Sequence, residues 1–391
     1  MKCDVVIVGA GPAGSMAART AAQKGLKVVM LEKRQEIGDP VRCAEGVSKA
    51  SLARLVNPDP RWIAAEVKGA RIYAPDRSNV VMSEDRSGNE VGYVLERKIF
   101  DRALAMDAAR AGAQVMVKAR ALGLLMKDGH PYGVKAMRFG EVFDIQAPLV
   151  IGADGVESKV GRWAGIDTAL KPQDIEVCAQ FLVHSELLDD EYCEFYFGNQ
   201  IAPGGYVWSF PKGKKLANLG IGILGSRSES GAPVRLLRSF MEKNLPDARV
   251  LEMDVGGVPV SGPIESTTAD GVILAGDAAR QSDPITGGGI LNAMNAGIMA
   301  GEMAAEALAR GDTSKEGLKP YEDRWRATIG KQIAKHYELK EFLVNLSDDD
   351  LNSLSSSLQS EDISKMDLKG MLRVLFRMNP KILWELRHLI I

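Results

Sequence analysis

Residues 3–34, CDVVIVGAGPAGSMAARTAAQKGLKVVMLEKR, decide the fold. An apolar run, CDVVIV, leads into glycines, an Ala-rich helical stretch ending near Gly25, and a second apolar run, KVVMLE; together they spell one βαβ unit. Gly9, Gly11 and Gly14 have the GxGxxG spacing, in which glycines allow a tight turn, close approach of the backbone to a pyrophosphate and close packing of helix on strand. The phosphates then meet a helix N-terminus, whose free N–H groups and dipole favour anions. Glu32 ends the second strand, 18 residues after Gly14, where a carboxylate can accept hydrogen bonds from a ribose diol. The order of strand, turn, helix and acid separates this segment from a merely structural glycine turn, but it does not separate FAD from NAD.

Working outward, the chain of 391 residues is too long for one ordinary core, so two domains are expected. A composition of 46% hydrophobic and 26% charged residues is that of a globular protein. The formal charge of −2 gives no bulk attraction for nucleic acid or an anionic surface. Cys3, Cys43, Cys178 and Cys193 form no CxxC pair and no metal-like spacing with the four histidines, which fits free thiols in a reducing cytosol and no metal. A strand begins within a few residues of Met1, leaving no room for a secretion signal, and no uncharged apolar run reaches the roughly 18–20 residues that span a bilayer.

Two later segments, LVIGADGVESKVGR (149–162) and DGVILAGDAARQSDPITGGGI (270–290), resemble the DG and GD motifs of the flavoprotein hydroxylase and reductase superfamily. The resemblance implies FAD. In the second segment a strand delivers Asp277 to where a carboxylate can hold the ribityl chain and pyrophosphate. Gly287, Gly288 and Gly289 precede an Ala-rich helix from Ile290, whose amino end can stabilise negative charge on a reduced ring. Asp277 as a plain helix cap is the competing reading. Between them a helix near 98–111 leads to a strand near 113–125. By resemblance Arg97 lies against FAD, a surface charge being its alternative, and Ala121 meets the adenine.

A second GxGxxG, at Gly220, Gly222 and Gly225, is set aside as a nucleotide site, because polar SRSESGAP follows it instead of an apolar helix. From Cys178 to Gly225 the pattern changes to short alternating strands between Gly and Pro turns, an antiparallel sheet. Alternation in YVWSF puts Tyr206, Trp208 and Phe210 on one face, with Phe195 and Phe197 paired likewise on EFYF. Such a face fits a long apolar slot and equally a sheet covering the core.

The run YVWSFPKGKKLANLGIG is similar to the YxWxFPKG motif of the geranylgeranyl reductase family, and RCAEGVSK (42–49) to its flavin-side cysteine segment. The likeness covers most of residues 1–300, and its nearest group is the archaeal enzymes that saturate the isoprenoid chains of digeranylgeranylglycerophospholipids. It implies an FAD-dependent reductase of C=C bonds, with FAD contacts at Gly9, Gly11, Ala13, Gly14, Glu32, Arg42, Cys43, Ala44, Gly46, Arg97, Ala121, Asp154, Gly276, Asp277, Gly288, Gly289 and Ile290. It further implies a lipid tunnel shaped by Tyr206, Trp208, Phe210, Pro211 and Gly213, and a catalytic or ring-packing role for Cys43. A chlorophyll-type geranylgeranyl reductase, an aromatic hydroxylase and a non-catalytic prenyl carrier are the rival readings. The electron donor is external: a nicotinamide nucleotide, ferredoxin or another carrier.

The implied fold is α/β. A Rossmann-like FAD domain of the para-hydroxybenzoate hydroxylase type (1–70, 94–168, 258–330) is interleaved with an antiparallel substrate domain (71–93, 169–257), followed by a helical region (331–391). There Lys365, Lys369, Arg373 and Arg377 recur every fourth residue beside Met371, Leu372, Leu375 and Phe376, fitting an interfacial helix on anionic headgroups or a solvated helix edge. Localisation is expected to be cytoplasmic with peripheral membrane contact.

Overall fold

The structure, a computed structural model, describes residues 1–83 and 92–359; the basic stretch Lys365–Arg377 lies outside the described residues. The chain divides into two compact units. The first is Met1–Val41, Arg97–Lys171 and Val258–Ala334; the second is Arg42–Glu96, Pro172–Gly257 and Lys335–Ile391.

In the first unit Val5–Val8 pairs parallel with Val28–Leu31 on one side and Leu149–Gly152 on the other. Val272–Leu274 and Gln114–Met116 extend the parallel ladder outward, and Thr268–Ala269 closes one edge antiparallel, giving six strands. The four inner parallel strands are buried throughout, as in a sheet covered on both sides, and only the edge strand Gln114–Met116 opens with an exposed polar residue. Val5, Ile7, Val28, Met30, Leu149 and Ile151 pack under helices, among them Pro12–Gln23 and Ile290–Arg310. Val6, Val8, Val29, Leu31, Val150 and Leu274 pack instead with Ala121, Val134, Ala136 and Ile145 of a three-stranded antiparallel sheet, Ala119–Lys127, His130–Arg138 and Glu141–Gln146.

Helices Pro12–Gln23 and Ile290–Arg310 touch almost backbone to backbone. A Cβ on Gly297 would fall 2.2 Å from the Ala13 carbonyl oxygen, and one on Gly301 would fall 2.7 Å from that of Ala17. The helix expected near 98–111 spans Arg97–Arg110, and the strand expected near 113–125 is two strands, broken at Lys118, whose φ is +53°.

In the second unit seven strands lie in the order Arg249–Pro259, Ile175–His184, Leu216–Leu224, Tyr206–Gly213, Tyr192–Phe197, Gly69–Tyr73 and Asn79–Ser83. Ile175–His184, Leu216–Leu224, Tyr206–Gly213 and Tyr192–Phe197 pair antiparallel in that order, and Tyr192–Phe197 runs parallel to Gly69–Tyr73. One face, with Phe181, Val207, Leu219 and Ile221, packs with Leu237 and Phe240 of helix Ala232–Asn244. A smaller sheet, Gly46–Ser48, Gly92–Leu95 and Ile63–Val67, completes the unit. Helices Lys331–Leu343 and Asp348–Gln359 follow at the C-terminal end of the described chain.

Candidate functional site

The glycine turn of the first unit is fixed by what would fill it. Gly9 has φ +106°, and its Cβ would lie 2.2 Å from the Ala153 carbonyl oxygen; a Cβ on Gly14 would lie 1.9 Å from that of Gly9. Gly11 differs: nothing lies within 4 Å of its would-be Cβ, and it caps helix Pro12–Gln23 without a side-chain hydrogen bond or an acidic first turn. Gly9 and Gly14 are therefore demanded by internal packing, whereas Gly11 leaves open space at a helix N-terminus able to receive an anion. Glu32 lies beside the turn, its two oxygens accepting from Ala10 N at 3.2 Å and Arg34 N at 2.9 Å.

The later motifs gather at the same turn. Gly9 meets Ala153 and Asp154 directly. Asp154 Oδ2 accepts from Val160 N at 3.0 Å, while Oδ1 is buried without a partner among the described residues, and burial raises the carboxyl above its ordinary value. Ser158 Oγ donates to the Ala278 carbonyl at 2.9 Å, tying the DG to the GD segment. Gly276, at φ +72°, leaves 3.0 Å between its would-be Cβ and that of Ala13, and its N–H donates to Gln281 Oε1 at 2.7 Å. Asp277 Oδ1 stands 3.2 Å from the would-be Cβ of Gly289, the cap of helix Ile290–Arg310, which also has no side-chain cap bond. Burial raises the Asp277 carboxyl and the charge of Arg97 opposes the rise. Arg97 is oriented by Asp101, which accepts from Nε at 2.8 Å and Nη2 at 2.7 Å; this buried acid carries no signal in the sequence. Gly288 sits in a loop arranged by Asp283, whose Oδ1 accepts from Ile285 and Thr286 N–H. Ala121 is buried on strand Ala119–Lys127, paired with Ala136. Two uncapped helix N-termini, an open glycine and an orphaned carboxylate oxygen fit a dinucleotide with a pyrophosphate.

The second unit gathers the aromatic residues. Phe195 lies 5.6 Å from Tyr206 and 5.2 Å from Phe210 between ring centroids; Phe197 lies 5.5 Å from Tyr206, and Tyr206 lies 5.9 Å from Trp208. Trp208 Nε1 donates to Gln180 Oε1 at 3.1 Å. The rejected glycine motif finds its purpose here. Gly220 and Gly222 stand opposite Trp208 and Tyr206 on strand Leu216–Leu224, and a Cβ on Gly220 would lie 2.2 Å from the indole. Pro211 is buried opposite Ala217, and Gly213 (φ +76°) follows a register shift that ends the strand.

Arg42, Cys43, Ala44 and Gly46 belong to this second unit. A Cβ on Gly46 would lie 2.6 Å from the Phe210 ring, so the cysteine segment and the aromatic strand meet. Sequence reasoning missed what holds them. Glu45, with φ +75° and 2% exposed, accepts from Lys212 Nζ at 2.6 Å and Asn218 Nδ2 at 2.5 Å; Lys212 also pairs with Glu96 at 3.1 Å. The Glu45 N–H donates to Cys43 Sγ at 3.2 Å. A charged residue inside each family segment was the available signal.

An α/β chain with this dinucleotide turn and these DG and GD segments is an FAD-dependent oxidoreductase. Residues 4–183 match the FAD-dependent oxidoreductase family and residues 174–258 the geranylgeranyl reductase catalytic domain. The digeranylgeranylglycerophospholipid reductase of Methanothrix thermoacetophila is 74% identical over the whole of both chains, and that of Methanosarcina acetivorans is 58% identical over 99% of this chain and 96% of its own. The crystal structure of a geranylgeranyl bacteriochlorophyll reductase-like protein from Thermoplasma acidophilum superimposes with TM-score 0.94 at 41% identity, covering 99% of each chain. A flavin-dependent brominase, 18% identical with TM-score 0.74, shares the fold. The chain belongs to the digeranylgeranylglycerophospholipid reductase family, and its cofactor is FAD.

Proposed function

We propose that the protein saturates the C=C bonds of geranylgeranyl chains in digeranylgeranylglycerophospholipids. The observation that carries this reading is the face of five aromatic rings on strands Tyr192–Phe197 and Tyr206–Gly213, to which the cysteine segment is fastened through Glu45. Reduced FAD supplies the electron pair and one hydrogen as hydride.

The chain's own residues bind, orient and exclude water. The N–H groups at Gly11 and beyond hold the pyrophosphate, Glu32 the ribose diol, and Asp277 with Gly288, Gly289 and Ile290 the ribityl and ring end. Asp154, Arg97 and Ala121 flank the cofactor. Tyr206, Trp208, Phe210, Pro211 and Gly213 line the path of the isoprenoid chain, an apolar surface matching an apolar substrate. An isolated trisubstituted alkene has no carbonyl to take up negative charge, so proton delivery leads or accompanies hydride transfer.

No helix among the described residues is long and apolar enough to cross a membrane. The substrate is reached by peripheral contact with anionic headgroups, which the basic residues Lys365, Lys369, Arg373 and Arg377 favour. Vesicle flotation on anionic lipid, lost on reversing Lys369 and Arg373 to Glu, tests that contact; equal flotation of both forms overturns it. The electron donor is a separate carrier that docks transiently. The deciding experiment is anaerobic: the flavin is reduced chemically, the diether lipid is added, and flavin reoxidation is followed with mass analysis of the lipid. A gain of one H2 per double bond is expected, and an unaltered lipid would overturn the reading. Cys43→Ala in the same assay separates a catalytic from a packing role, an unchanged rate removing the former.

A further inference from the structure

The sheet face with the aromatic rings also holds a buried carboxyl group, that of Glu176. On strand Ile175–His184, Cys178 and Gln180 stand opposite Gly222 and Gly220, which in turn stand opposite Tyr206 and Trp208. Alternation puts Glu176 on the same side. Its side chain is packed into the unit, with the residue 8% exposed, and no hydrogen bond from the described residues reaches its carboxylate. Two absent side chains make its room: a Cβ on Gly222 would lie 2.4 Å from Oε2, and one on Gly205 would lie 3.2 Å from Oε1. A buried acid with no hydrogen bond or ion pair among the described residues, in a niche kept clear by glycines, is costly to fold and asks for a chemical reason.

Its neighbours are poorer acids or are committed elsewhere. Burial pushes the Cys178 thiol well above its ordinary value, with the charges of Glu176 and Cys43 adding to the rise, and pushes Cys193 to about 12. Glu45 is tied to Lys212 and Asn218. The charge acting on Glu176 is Lys340 of helix Lys331–Leu343, itself donating to the Gln173 carbonyl and paired with Glu341. Tyr337 of the same helix donates to Asp174 at 3.2 Å, and Arg42, His184, Tyr206, and Glu252 and Asp254 of the edge strand are among the other titratable or charged groups on the surrounding elements. Burial lifts the Glu176 carboxyl to about 7, against 4.5 ordinarily, so it holds a proton near neutral pH and can release it.

We propose that Glu176 is the proton donor of the reduction, giving its carboxyl proton to one alkene carbon while the other receives hydride. The π pair forms the C–H bond to the proton, and the hydride brings the second pair and second hydrogen; the Glu176 carboxylate then regains a proton from water. The proposal rests on the reading that the isoprenoid chain lies along the aromatic face.

The test uses the flavin-loaded protein, chemically reduced without oxygen and mixed with the diether lipid. Glu176→Gln is expected to slow reoxidation by lipid at least about 100-fold, the lower bound for loss of general acid catalysis, with flavin content and lipid affinity unchanged. Glu176→Asp should recover part of the rate. The wild-type rate should fall as pH rises through about 7, and the residual Glu176→Gln rate should be flat there. Independently of turnover, infrared spectra of the oxidised, lipid-free protein should show a carboxylic C=O band that titrates near this pH and is absent in Glu176→Gln. An active wild type beside a Glu176→Gln form with the same rate and pH profile overturns the proposal alone. Wild-type protein that saturates no lipid overturns the substrate reading and this proposal together.

Discussion

Glu45 holds a left-handed backbone that a non-glycine residue rarely adopts, and two cationic or amide donors from the neighbouring strands keep it there. Both members of the Glu45–Lys212 pair are almost fully buried, at 3% and 7% side-chain exposure. Removing one leaves an uncompensated charge, so Lys212→Met should lower stability by about 3–5 kcal/mol in urea unfolding, and adding Glu45→Gln should restore much of the loss. Each member is a charge inside one of the two family segments, but nothing local couples them, because they are 167 residues apart and share no periodicity. Glu176 also has a signature in solution. Its folded pKa is raised from 4.5 to about 7, so the native state binds the extra proton and stability falls as pH climbs between those values. Glu176→Gln should flatten that slope, a difference of about 3 kcal/mol at most, read from unfolding midpoints at pH 4.5 and pH 8.

At the scale of elements, the strand Leu216–Leu224 gives up side chains so that its neighbour can keep large ones. Gly220→Ala should push the Trp208 indole off its Gln180 hydrogen bond and cost about 1–3 kcal/mol, as overpacked cores do. Thermal unfolding and tryptophan emission check this; an unshifted midpoint with native emission would contradict it. The aromatic face was legible because strand alternation has a period of two and the residues are large. The βαβ unit was legible because turn, helix and acid come in one continuous segment. The three-stranded sheet Ala119–Gln146 and the break at Lys118 were not, since a single left-handed residue ends a strand without altering its apolar pattern. Asp101, which aims Arg97, was hidden as one acid on a helix rich in charges.

For the molecule as a whole, FAD binds the folded chain and not the unfolded one, so removing FAD should lower stability by mass action. At free FAD near 1,000 times Kd the difference is about 4 kcal/mol. Calorimetry of flavin-free and reloaded protein should show the midpoint fall and return, and equal midpoints would contradict a preformed cradle in Gly9–Gly14 and Gly276–Gly289. The chain leaves and re-enters each unit, and the DG and GD segments, far from the first glycine turn in the sequence, serve one sheet with it. Exact crossing points were less visible, because apolar strands of both units look alike in composition.

This interleaving sets a timetable for synthesis. Val272–Leu274 is the sheet neighbour of Leu149–Gly152, and Asp277 follows it. At roughly 5–20 residues per second, these residues leave the ribosome on the order of ten to fifty seconds after the first glycine turn. Until then the edge of Leu149–Gly152 is bare and the helix Ile290–Arg310 has not been made. The sheet is therefore completed only after Val272–Leu274 has emerged, and a chain released earlier would carry an open sheet edge, a natural target for chaperones and proteases.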